Sequence, residues 1–177
     1  MKYRKSNMHP QDILILLKII ALEGREWFHH TLATDIGLSQ SEVSQSLNRS
    51  LFAGLIDAKR KKVMRMALYE FIVYGIRYVF PEQPGAVVRG MPTSHSASPL
   101  KKHFLDVEAY VWPSAKGTVR GQAITPLYPS VLLAAEKDEK LYELLTLVDA
   151  IRVGRAREKE LAVKELEKIL LNNVSKN

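Results

Sequence analysis

Between Leu32 and Leu55 the apolar residues fall into two short groups on either side of a glycine, and the polar residues beside them are small and mostly uncharged. Ala33 is small where two helices must approach closely, Gly37 stands where the chain needs positive φ, and Leu38 is an apolar plug just beyond the turn. Ser39 to Glu42 spells Ser-x-x-Glu, a capping box, so a new helix is predicted to start at about Gln40. On that helix Val43, Leu47 and Leu51 recur every four residues and are expected to face inward. Gln40, Ser41, Ser44, Gln45, Asn48 and Arg49 fall on the other side. These side chains suit the edges of bases and phosphates, because Gln and Asn pair bidentately with adenine, Ser is adaptable, and Arg takes guanine or phosphate. The competing reading is an ordinary amphipathic helix pair with a solvated polar face.

The pattern changes three times further along. From Val63 to about Tyr74, Met64, Leu68, Phe71, Ile72 and Gly75 keep helical spacing, with Gly75 suited to a helix end and Pro81 blocking continuation. A core helix linking two halves is the first reading of this element, and a dimer face the second. Residues 81–129 hold seven of the eight prolines and four of the nine glycines. Arg89 to Leu100 cannot be a regular helix and is expected to lie as a loop across the surface, where it docks a partner, covers a ligand site or simply packs. Val107 to Trp112 and Thr118 to Ile124 read as two strands of a small hairpin turning at Ser114 to Gly117. Glu136 to Val153 then puts Leu141, Leu144, Leu145, Val148 and Ile151 on one stripe, Gly154 closes it, and Arg155 to Leu171 repeats the pattern with Leu161, Leu166, Ile169 and Leu170. This helical hairpin either dimerises the protein or packs within the chain. Arg152, Arg155 and Arg157 could line an anion pocket at its turn, against which Glu158 and Glu160 offer salt bridges instead.

Charge sharpens the reading of the first third. The formal net charge is +7. Residues 1–66 carry 11 Lys and Arg against 6 Asp and Glu, residues 67–135 carry 6 against 4, and residues 136–177 carry 9 against 9, so most of the positive excess lies on the first third. Lys59, Arg60, Lys61 and Lys62 form its densest run, placed to neutralise phosphate beside the polar helix face, or else a solvated surface or a site for an acidic protein. With no Cys, disulfides, thiolate zinc sites and cysteine nucleophiles are excluded. No segment approaches the roughly 20 apolar residues of a membrane span, and a cytoplasmic protein with no membrane association is expected.

Leu32-Ala33, Ile36-Gly37-Leu38-Ser39, Val43-Ser44, Leu47-Asn48-Arg49 and Ala53-Gly54-Leu55-Ile56 together resemble the winged helix-turn-helix transcription regulators, especially the DNA-binding domains of MarR-like and IclR-like proteins. The resemblance covers roughly residues 10–57. It implies that Gln40 to Phe52 is a recognition helix, that Asp12 to Ala21 is the first support helix, and that Trp27-Phe28 occupies a short strand before the second. In many regulators of this class the terminal helices form the dimer interface. One departure is visible: after Ile56 the chain runs Asp57-Ala58-Lys59-Arg60-Lys61-Lys62-Val63-Met64-Arg65 straight toward an apolar helix, so the wing is truncated or missing.

Enzymatic motifs are absent: no Gly-x-x-x-x-Gly-Lys phosphate loop, no Gly-x-Ser-x-Gly elbow and no His-Glu-x-x-His helix. A metal site would have to use His29-His30, His95 and His103, and adjacent histidines in a strand point to opposite faces. A triad of Ser94 or Ser96 with His95 or His103 and Asp106 ranks below that. The expectation is therefore a mainly α (α+β) protein without metal, cofactor or catalysis. Residues 1–66 form a winged-helix-like DNA-binding domain with a degenerate wing, and residues 67–177 a small hairpin-containing region that ends in a helical hairpin. Its expected role is that of a homodimeric, sequence-specific regulator on double-stranded DNA. The alternative is an antitoxin- or adaptor-like module in which the helix pair and the proline-rich strip grip a protein partner.

Overall fold

Helix α1 (Pro10–Ala21) is apolar on every side, with Ile13, Leu14, Ile15, Leu16 and Leu17 all 0 % exposed, and a helix of that kind must be surrounded. The computed structural model describes residues 7–172 and is of the α+β class. Pro10 takes the first helical position of α1, and the Asp12 carboxylate accepts the His9 amide at 2.8 Å, closing the N-terminus. No helix among the described residues is long and apolar enough to cross a membrane.

Helices near to it and far from it in the chain pack on α1. Helix α2 (His29–Ile36) ends at Gly37 with φ of 70°, and α3 (Gln40–Phe52) begins after the Ser39–Glu42 box, its bounds as expected. Trp27 and Phe28 form no strand, and His29 and His30 open α2, so the strand argument about the two histidines does not apply. After α3 the chain doubles back instead of running straight on. Ile56 and Val63 form an antiparallel bridge, supported by Asp57 N–H to Lys62 O and Met64 N–H to Leu55 O, both at 2.9 Å. Arg60, at φ 55°, and the Asp57 carboxylate, which accepts the Lys61 and Lys62 amides, make so short a turn feasible.

The next helix is longer than the sequence suggests. It runs as α4 (Arg65–Glu70), a π-helical turn (Phe71–Gly75) and α5 (Ile76–Val79), with the Ile76 amide bonded to the Phe71 carbonyl. Gly75 therefore lies inside the helix rather than ending it, close against the Phe71 ring, where a Cβ would be 3.2 Å from the ring edge.

Strand β1 (Val87–Thr93) comes from the segment expected to be loop, and it overturns the simple hairpin. β2 (Tyr110–Pro113) and β3 (Val119–Ala123) do not pair antiparallel with each other; β1 pairs antiparallel with both, and β2 and β3 run parallel, closing a three-stranded barrel. Gly90 sits opposite both Pro113 and Val119. A Cβ on Gly90 would collide with the Trp112 carbonyl, one on Gly117 with the Gly90 backbone, and one on Gly121 with the Ala109 carbonyl. Thus only glycine lets the strands close. The strip beyond β1 is not draped over the surface either, since Thr93, Ser94, His95, Ala97 and Leu100 are buried.

The C-terminal stretch begins with α6 (Val131–Lys137), and the helix expected from Glu136 is interrupted at Asp138, whose extended backbone and side chain cap α7 (Glu139–Val153) through the Leu141 amide at 3.1 Å. α7 is buried without a break from Leu144 to Arg152 and packs against α1, which places this helix inside the chain's own core. α8 (Ala156–Leu170) covers its outer side. One continuous hydrophobic cluster draws on residues before and after position 66. Lys18, with its side chain 8 % exposed, pins the arrangement by reaching Asp138 at 2.8 Å and Asp35 at 3.3 Å.

Candidate functional site

The outward face of α3 is short, polar and accessible. Gln40, Ser41, Gln45 and Asn48 are exposed and Ser44 is half-buried. The face is aimed by its two ends. At the N-terminus the Ser39 hydroxyl accepts the Glu42 amide at 3.1 Å, and the Glu42 carboxylate accepts the Ser39 amide at 2.8 Å, a contact that holds this carboxyl below its ordinary pKa. Before it, the turn at Gly37 packs on α6, where a Cβ would lie 3.2 Å from Leu133 Cδ2.

The inner face departs from the expected pattern. Val43 and Leu47 are fully buried, but Leu51 is 37 % exposed, and Ser46 and Ser50 are buried in its place. The cause is helical drift, because each step of four residues advances about 40°, which carries the third position of the series to the edge. Ser46 finds a partner in Asp12, to which its hydroxyl donates at 2.6 Å.

Arg49 is the main correction to the expected site. Its guanidinium grips the Asp12 carboxylate with Nη2 at 2.6 Å from Oδ1 and Nε at 2.9 Å from Oδ2. Asp12 is 0 % exposed, so Arg49 is a strut between α3 and α1, held away from the reading face. No local pattern links position 12 to position 49; an Asp in the first turn of a helix reads as an ordinary cap.

The four basic residues likewise separate into two roles. Arg60 Nη1 donates to the Asn48 side-chain oxygen at 2.6 Å, so the hairpin tip is tied to α3 through Asn48. Lys61 Nζ lies 4.4 Å from the centroid of the Trp27 ring and 3.2 Å from the Trp27 carbonyl, which ties the hairpin to the start of α2. Lys59 and Lys62 are exposed and point from the same turn without an ion-pair partner among the described residues. The Asp57 carboxyl beneath them is held below its ordinary pKa, chiefly by the Lys62 and Lys61 amides. The ensemble is one uncharged amide and hydroxyl face with the exposed Lys59 and Lys62 beside it.

The other sequence candidates do not assemble. His95 is 1 % exposed, its Nε2 lies 2.9 Å from the Glu108 carbonyl, and His103 and Asp106 are exposed elsewhere on the strip. Ser94 is fully buried, at φ 55°. Among the described residues no three His, Asp or Glu side chains are grouped as metal ligands. Arg152 is buried and bonds the Thr125 carbonyl at 2.7 Å beside Asp149 and Glu82, while Arg157 lies over the Phe104 ring, so the arginines of the helical turn line no common pocket.

The chain matches no known family model, and no characterised protein or solved structure is significantly similar to it.

Proposed function

We propose that this protein is a non-catalytic, cytoplasmic transcription regulator that binds double-stranded DNA sequence-specifically through a winged helix-turn-helix, acting as a homodimer. The observation that carries the reading is the exposed amide and hydroxyl face of α3, Gln40, Ser41, Gln45 and Asn48, flanked by Lys59 and Lys62 on a hairpin that Arg60 and Lys61 lock to α3 and α2. A solvated face with no role needs no such bracing. In this reading α3 enters the major groove, Gln45 and Asn48 read base edges, Lys59 and Lys62 meet phosphates, and the short hairpin is the degenerate wing. The adaptor alternative draws on the proline-rich strip as well as the helix pair, and Thr93, Ser94, His95, Ala97 and Leu100 of that strip are buried in this chain's own core.

Selection of bound duplexes from a random pool supplies the target sequence. On it, Gln45→Ala is expected to cost about 1–3 kcal/mol of specific binding for its lost bidentate contact, and Asn48→Ala less, because Arg60 already occupies the Asn48 oxygen, with non-specific binding nearly unchanged. Replacing Lys59 and Lys62 by Ala weakens all duplexes alike and flattens the salt slope by about 0.9 per lost phosphate contact. No selected sequence, together with a salt-independent affinity, refutes the reading.

A further inference from the structure

The helix that runs from Arg65 to Val79 buries one side, and the other has large side chains open to solvent among the described residues. Leu68, Ile72, Val73 and Ile76 point into the core, whereas Met66, Tyr74 and Tyr78 are 55, 72 and 77 % exposed. Glu70 and Arg77, also exposed, have no ion-pair partner among the described residues, and the Arg77 guanidinium rests 5.8 Å from the Tyr78 ring. Three large side chains so open on one helix are uncommon on a surface with no partner.

The π turn explains why they share a face. On an unbroken α-helix, Met66, Glu70, Tyr74 and Tyr78 would drift by about 40° at each step of four, roughly 120° in all. The wider turn at Phe71–Gly75, with its Ile76 to Phe71 bond, holds back that advance in the middle of the series. A straight stripe three turns long results, with Met66 and Glu70 leading into Tyr74 and Tyr78. The charges flanking it are arranged symmetrically, since positions 70 and 77 lie equally far from a point between Val73 and Tyr74.

We propose that α4, the π turn and α5 form a homodimer face. A second copy of this chain packs the same stripe antiparallel about a two-fold axis beside Tyr74, with Glu70 of each copy against Arg77 of the other. The charges select this occupant: an acid and a base symmetric about the aromatic centre are complementary to themselves in an antiparallel, two-fold pairing, as an isologous interface requires. Stacked tyrosines supply its apolar middle. In this arrangement the Arg65 ends of the two helices lie about 25 Å apart along the axis, from the 1.5 Å rise per residue, so the two hairpins leave from opposite ends. That separation is of the same order as the roughly 34 Å between successive major grooves. The inference rests on the homodimeric part of the proposed function and gives it an interface.

Sedimentation equilibrium of the full chain without DNA tests it, and therefore succeeds or fails independently of DNA recognition. The wild type is expected to dimerise at micromolar concentration. Glu70→Arg and Arg77→Glu each set like charges against each other twice per dimer, and each is expected to raise the dimer Kd by on the order of a hundredfold. Mixing the two variants restores a heterodimer, because every contact is again opposite in sign, and the double variant restores the homodimer. Both positions are exposed, so circular dichroism and the melting temperature of the single variants stay those of the wild type. A wild type that stays monomeric, or variants that dimerise as tightly as the wild type, overturns the proposal. So does recovery of neither the mixture nor the double variant.

Discussion

Replacing Arg49 by alanine removes one member of an ion pair whose other member, Asp12, has no contact with solvent. Breaking a buried pair by deleting one partner costs about 3–5 kcal/mol, because the remaining charge stays desolvated. Two features set this case at the lower end. The Arg49 side chain is 17 % exposed, so the pair is not wholly dry, and Asp12 keeps the Ser46 hydroxyl at 2.6 Å and the His9 amide at 2.8 Å. The expected loss is about 3 kcal/mol, which for a chain of this length lowers the melting temperature by about 6–12 °C. Gln45→Ala on the same helix deletes only exposed atoms and stays within about 0.5 kcal/mol of the wild type. Thermal unfolding followed by circular dichroism measures both. Adding Asp12→Asn to Arg49→Ala removes the orphaned charge and recovers part of the loss, which a simple deletion of packing would not do. An Arg49→Ala protein that melts within about 2 °C of the wild type while losing preference for one base pair of the selected duplex would mean that Arg49 swings out to read DNA. The strut assignment would then be wrong.

Three further outcomes follow from the core. Gly90→Ala drives a Cβ into the Trp112 carbonyl, so the barrel cannot close and the loss is expected to reach about 3 kcal/mol or more, read from denaturant unfolding; wild-type stability would refute the closure argument. Burial raises the Asp149 carboxyl above its ordinary pKa, against the opposing pull of Arg152 and the hydrogen bonds from Thr93 and Trp112. Its contribution to stability is therefore complete below a pH of about 4 and is lost as the pH rises through the raised value, so the melting-temperature gap between Asp149→Asn and the wild type should widen in the variant's favour with rising pH. A gap independent of pH refutes it. A chain ending near Ser130 lacks α7, against which α1 packs, and should show neither a cooperative melt nor DNA binding; a folded fragment would mean that the reader stands alone.

The elements that could be read along the chain are those closed by neighbours in sequence. The bounds of α3 follow from Ser39, Glu42 and the left-handed Gly37, all within a few residues of one another, and the gap between α7 and α8 follows from Gly154. The apolar stripe of Leu141, Leu144, Leu145, Val148 and Ile151 marks a helix with an inward side in any fold. What that helix packs against is a different matter. Its partner is α1, more than a hundred residues away, and periodicity specifies an inward face without naming the surface opposite it. The same limit governed the barrel: strand-forming residues at Tyr110–Pro113 and Val119–Ala123 are legible locally, but their parallel pairing depends on β1, whose Gly90 and Pro92 read as breakers until glycine is needed for close approach. At the candidate site the polar face of α3 was visible from its spacing. Only the tertiary structure removed Arg49 from it, because the buried carboxylate that claims the guanidinium is 37 residues distant and the desolvation that makes the claim binding exists only once α1 is covered.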